Sequence, residues 1–206
     1  MNTQTSSPQN DVRERILCAA YERFVRFGYN KTTMAEIAGD CGMSAANLYR
    51  YFDNKLDIGA HLAGQYLQRK VDLQQAIVDQ RETPASERLR ELVLGTLRYT
   101  HDQWQDAPLV NELVAALCGD RMEMVESYKQ KECAAIVSLL EDGNNSGEFL
   151  VADTRDSATA LQTAMTLFSM PLLMPAYPRE VFEEKAEALV RLLLTGLLNP
   201  ARKPAN

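Results

Sequence analysis

Histidine is almost missing from this chain: two in 206 residues, His61 and His101, forty positions apart. With so few, no close pair of His or Cys exists to hold a structural zinc ion. The phosphate loop GxxxxGK[ST], the dinucleotide turn GxGxxG, the zinc helix HExxH and the nucleophile elbow GxSxG are absent too. Without them the reading is a protein that is not an enzyme and carries no cofactor. Cys18, Cys41, Cys118 and Cys133 have no paired spacing and no hydrophobic signal core precedes them. They read as reduced, mostly buried thiols of a cytoplasmic protein, with a thiol-based redox sensor as the alternative. The most apolar stretch, residues 158–177, is interrupted by Gln162, Pro171 and Pro175, too broken to span a membrane. Net charge is −6, which excludes coating of nucleic acid by bulk positive charge.

What is present is helical spacing. No alternation of strand type and no repeat occurs, so the expected fold is all-α with about nine helices. A polar lead-in, residues 1–10, reads as disordered. The first helix runs from Asp11 to Phe27, with Ile16, Leu17, Ala20, Phe24 and Phe27 on one face and Gly28 as its stop. Two short helices follow, then a long one capped by Asn54 and reaching about Gln80, where Glu82-Thr83-Pro84 breaks it. A fifth extends to about Trp104. Pro108 opens a short one that Gly119 ends. Another spans Asp120 to Glu141, stopped by the polar run Asp142–Gly147. Two more fill Asp153–Leu173 and Arg179–Leu198 around the turn Pro175-Ala176-Tyr177-Pro178.

The segment Thr33–Lys55 carries the sharpest signal. Thr33-Met34-Ala35-Glu36 fits a capping box, and Ile37, Ala38 and Cys41 give an apolar face. Gly42 marks a sharp turn, and Ser44 can cap a second helix through Tyr51. Ala38 is small where the two helices would cross closely, and Leu48 can plug the gap between them. Asn47, Tyr49 and Arg50 could reach bases and phosphates in a major groove. The same pattern also suits an ordinary helical hairpin of a bundle.

Residues 15–59 resemble the N-terminal domain of the tetracycline-repressor family of bacterial transcription regulators. The matching residues are Phe24-Val25-Arg26-Phe27-Gly28, Thr32-Thr33-Met34, Ile37-Ala38, Gly42-Met43-Ser44, Leu48-Tyr49, Tyr51-Phe52 and Asn54-Lys55. The resemblance implies a homodimeric DNA-binding regulator, a repressor released from double-stranded operator DNA by a small apolar ligand. It divides the chain into a three-helix DNA-binding domain at 11–58, a ligand-binding and dimerisation bundle at 59–200 and a tail at 201–206. It places Ala45, Ala46, Asn47, Tyr49 and Arg50 in the major groove, and Thr33, Ser44, Tyr51 and Lys55 on the DNA backbone. For Thr33 a helix start favours an anion. Charge is consistent: residues 1–70 hold nine Lys and Arg against seven acids, the remainder thirteen against twenty-one.

The rest of the chain offers residues for an apolar pocket: Tyr99, His101, Trp104, Tyr128, Phe149, Met165 and Phe168. At helical spacing these also suit a plain core, and His61 suits a surface or domain junction. The last two helices are apolar nearly all round, so they bury two faces, the second against another subunit or within the same core. The expected dimer surface uses Leu161, Ala164, Met165, Phe168, Ala186, Leu189, Val190 and Leu193.

Overall fold

The computed structural model describes residues 8–107 and 111–197. Residues 1–7 of the lead-in, Pro108, Leu198 and the expected tail lie outside the described residues. Ten α-helices occur among those described: α1 (Pro8–Phe27), α2 (Met34–Asp40), α3 (Ala45–Leu48), α4 (Lys55–Val78), α5 (Ala85–Asp106), α6 (Asn111–Asp120), α7 (Met122–Asn145), α8 (Thr154–Ala164), α9 (Thr166–Ser169) and α10 (Arg179–Leu197). A 3₁₀ segment, Pro171–Ala176, precedes α10. The all-α class is as expected.

Several boundaries differ, for local reasons. Residues 8–10 are helical rather than part of the lead-in, since proline is tolerated in a first helical turn. Helix α7 does not stop at Glu141 but runs through Asp142, Gly143 and Asn144 to Asn145. Those polar residues make specific contacts. The Asn144 side chain pairs with both backbone groups of Val151, at 2.8 and 2.9 Å. Gly143 lies under the Phe149 ring, where a Cβ would come within 2.1 Å of Cδ2. Gly119 sits inside α6 instead of ending it. The single helix expected over 153–173 is α8, α9 and the 3₁₀ segment. Met170 is extended (φ −107°, ψ 115°) because Pro171 follows it, and α9 therefore ends at Ser169.

The chain forms two compact units: a head of residues up to 66 together with 107–122, and a body of 67–106 with 123 onward. Helix α4 contributes to both. The division expected at 58/59 differs from this grouping in residues 59–66 of α4 and in α6, which fall in the head. In the head, Ile16, Leu17, Ala20 and Phe24 of α1 pack with Ile37, Ala38, Leu48, Phe52 and Ile58. Helix α6 is held there by Glu112, which accepts from the Asn30 amide at 2.8 Å. Leu113 lies over Gly59, so close that a Cβ would sit 2.4 Å from its Cδ1.

In the body α5 is the central helix, buried on several faces through Leu89, Leu92, Val93, Leu94, Leu97 and Thr100. It packs against α9, α10 and the 3₁₀ segment. Its first amides are capped from a distance: Glu148 accepts from Ala85 N at 2.8 Å and Ser86 N at 3.1 Å. Arg88, buried, donates to Val78 O at 2.6 Å and to Asp142 at 3.1 Å, tying the end of α4 to α7.

Candidate nucleic-acid interface

Helices α2 and α3 are built by caps at both starts. Thr33 accepts from Glu36 N while the Glu36 carboxylate accepts from Thr33 N at 2.9 Å, a full capping box. Ser44 accepts from Asn47 N at 3.2 Å and starts α3. Between them Gly42 takes φ +66°, where a side chain would be strained. Ala38 and Leu48 are both buried at the crossing. The α-helical part of α3 ends at Leu48. Its last turn then tightens, with Arg50 N donating to Asn47 O at 3.1 Å and Tyr51 N to Leu48 O at 2.9 Å.

This geometry leaves one side of α3 open. Ala46, Tyr49 and Arg50 are exposed, Ala45 and Asn47 half-buried, and Ser44 exposed. The Arg50 side chain makes no hydrogen bond or ion pair among the described residues, and its guanidinium is therefore available to a base edge or a phosphate. Tyr51 is half-buried, its carbonyl accepting from Arg13 Nη1 at 2.8 Å. Arg13 also lies 4.4 Å over the Phe52 ring and 3.1 Å from His61 Nε2, so His61 helps to hold α1 to α4.

Two expected backbone contacts need correction. The Lys55 ammonium has three protons, and three carbonyls surround it: Tyr29 O at 2.7 Å, Thr32 O at 2.8 Å and Asn30 O at 3.3 Å. It also lies 4.3 Å from the Tyr29 ring centroid. Burial pushes its pKa down, only partly opposed by Glu112 and Glu36. The chain uses Lys55 to clamp the loop after α1, leaving it no donor for a phosphate. At Thr33, amide and hydroxyl both donate to Glu36, so a carboxylate already occupies the helix start expected to hold an anion. The Thr33 hydroxyl and amide hold Glu36 well below the usual carboxylate range, and Arg23 adds to the effect from 3.3 Å. Asp40 is lowered chiefly by its hydrogen bond to Arg23.

In the body, Met165 and Phe168 are core residues, the latter stacked edge-on with Phe182 at 6.3 Å. His101 is buried, 5.6 Å from the half-buried Trp104, and its Nδ1 has no partner among the described residues. Tyr99 and Tyr128 are half-buried. Phe149 does not join them. It follows Glu148, which caps the start of α5, whereas Trp104 lies nineteen residues further along that helix, about 28 Å away at 1.5 Å per residue. One small ligand cannot touch both.

Of the expected dimer residues, Leu161, Met165, Phe168, Ala186 and Val190 are buried in the subunit's own core, which leaves them no surface for a second copy. Ala164 is exposed, and Leu189 and Leu193 are half-buried. Burial pushes the Cys41 thiol up, away from the reactive thiolate a sensor needs.

Sequence reasoning missed Lys70, Gln74 and Glu132, all buried in the body. A signal for the first two existed: with Leu67 and Ile77 they continue the apolar stripe of α4, an odd place for polar side chains.

Residues 16–61 match the family described as bacterial regulatory proteins, tetR family, and residues 85–190 match the tetracyclin repressor-like C-terminal domain. The chain belongs to the tetracycline-repressor family. Among curated relatives it is 25% identical over 170 residues to a probable HTH-type transcriptional regulator, YttP, of Bacillus subtilis, covering 82% of this chain and 81% of that one. The HTH-type transcriptional repressor BepR of Brucella suis is also 25% identical over 170 residues, 79% and 80% of the two chains. A TetR-family transcriptional regulator from Pectobacterium atrosepticum shares the fold at TM-score 0.71 and 19% identity, over 97% of this chain and all of the other. This TetR-family chain is a transcription regulator with a helix-turn-helix DNA-binding head. Among the described residues no helix is long and apolar enough to cross a membrane.

Proposed function

We propose that this TetR-family protein is a dimeric repressor that reads its operator with α3 and releases it when a small molecule binds the body. The observation that carries the DNA half is the capped α2–Gly42–α3 unit, which leaves Ala46, Tyr49 and Arg50 exposed beside Ala45 and Asn47. Asn47 and Arg50 supply hydrogen-bonded readout in the major groove, and Ala45 and Ala46 supply methyl contacts such as to thymine. Ser44 and Tyr51 lie along the DNA backbone. The repressor sign is supported by the Brucella suis relative, itself a repressor.

For the dimer we propose the outer surfaces of α8 and α10: Ala160, Thr163 and Ala164 with Leu189, Leu192, Leu193 and Gly196. Leu192 is 71% exposed, the largest exposure among the big apolar side chains of the described residues. Two α3 helices about 34–36 Å apart would fill adjacent half-sites, and a ligand that favours another spacing lowers operator affinity. Fluorescence anisotropy with duplex DNA from the gene's own upstream region tests the reading. Saturable, sequence-selective binding by a dimer is the expected result, and equal affinity for scrambled DNA would refute it.

A further inference from the structure

A regulator's body needs an apolar core, yet this one buries charge and amide groups in its middle. Lys70 and Glu132 are 5% and 7% exposed, with Nζ 2.8 Å from Glu132 Oε1. That contact is a buried ion pair, and Lys70 is the cation that neutralises Glu132. One turn on, Gln74 is 3% exposed. Its Nε2 donates to Thr96 Oγ1 at 3.1 Å, and its Oε1 has no partner among the described residues. The Ser169 carbonyl lies 3.5 Å from Lys70 Nζ, next to the buried Phe168. Residues of α4, α5, α7 and α9 thus meet at one polar point inside the core.

Such a cluster does not serve stability: a buried ion pair is generally matched or bettered by apolar residues of equal volume, and an orphaned acceptor is a cost. Its acceptors share one chemistry. Gln74 Oε1 has no partner among the described residues and the Glu132 carboxylate is buried with Lys70 beside it, so the complementary ligand brings hydrogen-bond donors. An anion would add acceptors to acceptors. An ammonium or amidinium group would supply donors and a counter-charge for Glu132, while the long flexible stem of Lys70 lets its own ammonium leave.

We propose that Gln74, Thr96 and Glu132 anchor the effector, and that the effector is an organic cation with an apolar body lying against Met165 and Phe168. Lys70 acts as the internal stand-in that neutralises Glu132 when the site is empty. The proposal rests on the reading of the body as an effector-binding unit.

The single tryptophan, Trp104, is packed against the body core and reports binding without DNA. Titrating the full-length protein with dodecylammonium, dodecanol and dodecanoate at neutral pH separates charge from chain length. The ammonium should bind saturably and about 10-fold or more tighter than the alcohol, with the carboxylate weakest. Glu132→Gln should abolish the preference of ammonium over alcohol. Lys70→Met should strengthen ammonium binding, which a merely structural role would not do. Dodecanoate binding as tightly as dodecylammonium in the wild-type protein overturns the proposal, with no variant needed. So does a folded Glu132→Gln protein that keeps the preference. Operator affinity is scored separately. Ammonium binding that leaves it unchanged upholds this site and rejects effector release. Release by another compound class, with the ammonium inert, upholds release and rejects this site.

Discussion

If Lys55 is a clamp, its removal should weaken the head without changing how binding depends on salt. Its ammonium donates to three carbonyls of the loop between α1 and α2, two of them at 2.7 and 2.8 Å. Hydrogen bonds from a charged donor are each worth about 1.5–3 kcal/mol, and partial desolvation of the ammonium offsets part of that. A net loss of about 2 kcal/mol is expected for Lys55→Met. For a chain of this size that lowers the melting temperature by roughly 4–8 °C if the head and body unfold together.

Operator affinity should fall, but the slope of log K against log salt should stay where it was, because no phosphate loses its cation. A phosphate ligand would behave oppositely: stability nearly unchanged and the slope flatter by about 0.9. Lys55→Arg sharpens the contrast. A guanidinium remains a good phosphate ligand, but its planar fork cannot aim donors at three converging carbonyls. The clamp predicts that Lys55→Arg is also destabilised. An arginine variant with native melting temperature, together with a flattened slope in Lys55→Met, would refute the clamp.

Arg50→Ala should relax the preference at particular operator bases by about 1–3 kcal/mol, seen as loss of discrimination in a base-substitution panel; a uniform loss would reassign it to phosphate. Glu36 and Asp40 have folded pKa values below their unfolded ones, so the stability they give is present above about pH 4.5 and lost as pH falls through their folded values. In an acid titration followed by circular dichroism, Glu36→Gln should flatten that acid limb. Leu192→Glu should give a folded monomer by sedimentation, whereas Leu193→Glu, whose side chain packs on the core, should lower the melting temperature as well. Gly143→Ala should destabilise by about 2 kcal/mol despite the better helix propensity of alanine, because its Cβ would strike the Phe149 ring. Gly39→Ala, with nothing within 4 Å of its Cβ and a place inside α2, serves as the control and should raise stability by up to about 1 kcal/mol in the same thermal melt.

The legible parts of this protein are those whose physics is local. A capping box, a Ser N-cap and a glycine turn depend on residues three or four apart, and Thr33, Gly42 and Ser44 behave in the structure as their spacing implies. Pro171 is as local a signal, yet the helix expected over 153–173 runs past it, whereas α9 ends at Ser169. The misread parts depend on partners distant in sequence. Nothing near Gly143 signals that Phe149 folds back onto it, and nothing near Ala85 shows that Glu148 will cap it from sixty-three residues away. Lys55 looked like a free cation because the three carbonyls it serves come from a loop more than twenty residues earlier.

Apolar side chains carry a second kind of ambiguity. Hydrophobic spacing on α8 and α10 states that two faces are buried without saying against what, and Leu161, Ala186 and Val190 turn into the same subunit. A polar residue on an apolar stripe is less ambiguous, since burial forces it to find a partner or remain unsatisfied at a cost. Lys70 and Gln74 stand on such a stripe of α4, so the residues that least fit the helical pattern were the better guide to the body's chemistry than its aromatics. Of the aromatics, Phe168 and Phe149 are both plain core, the latter beside Glu148 at the start of α5 and far from Trp104. For a helical sensor domain, a search for the effector site should therefore begin with polar residues at core positions and ask which of their hydrogen bonds the folded chain leaves unmade.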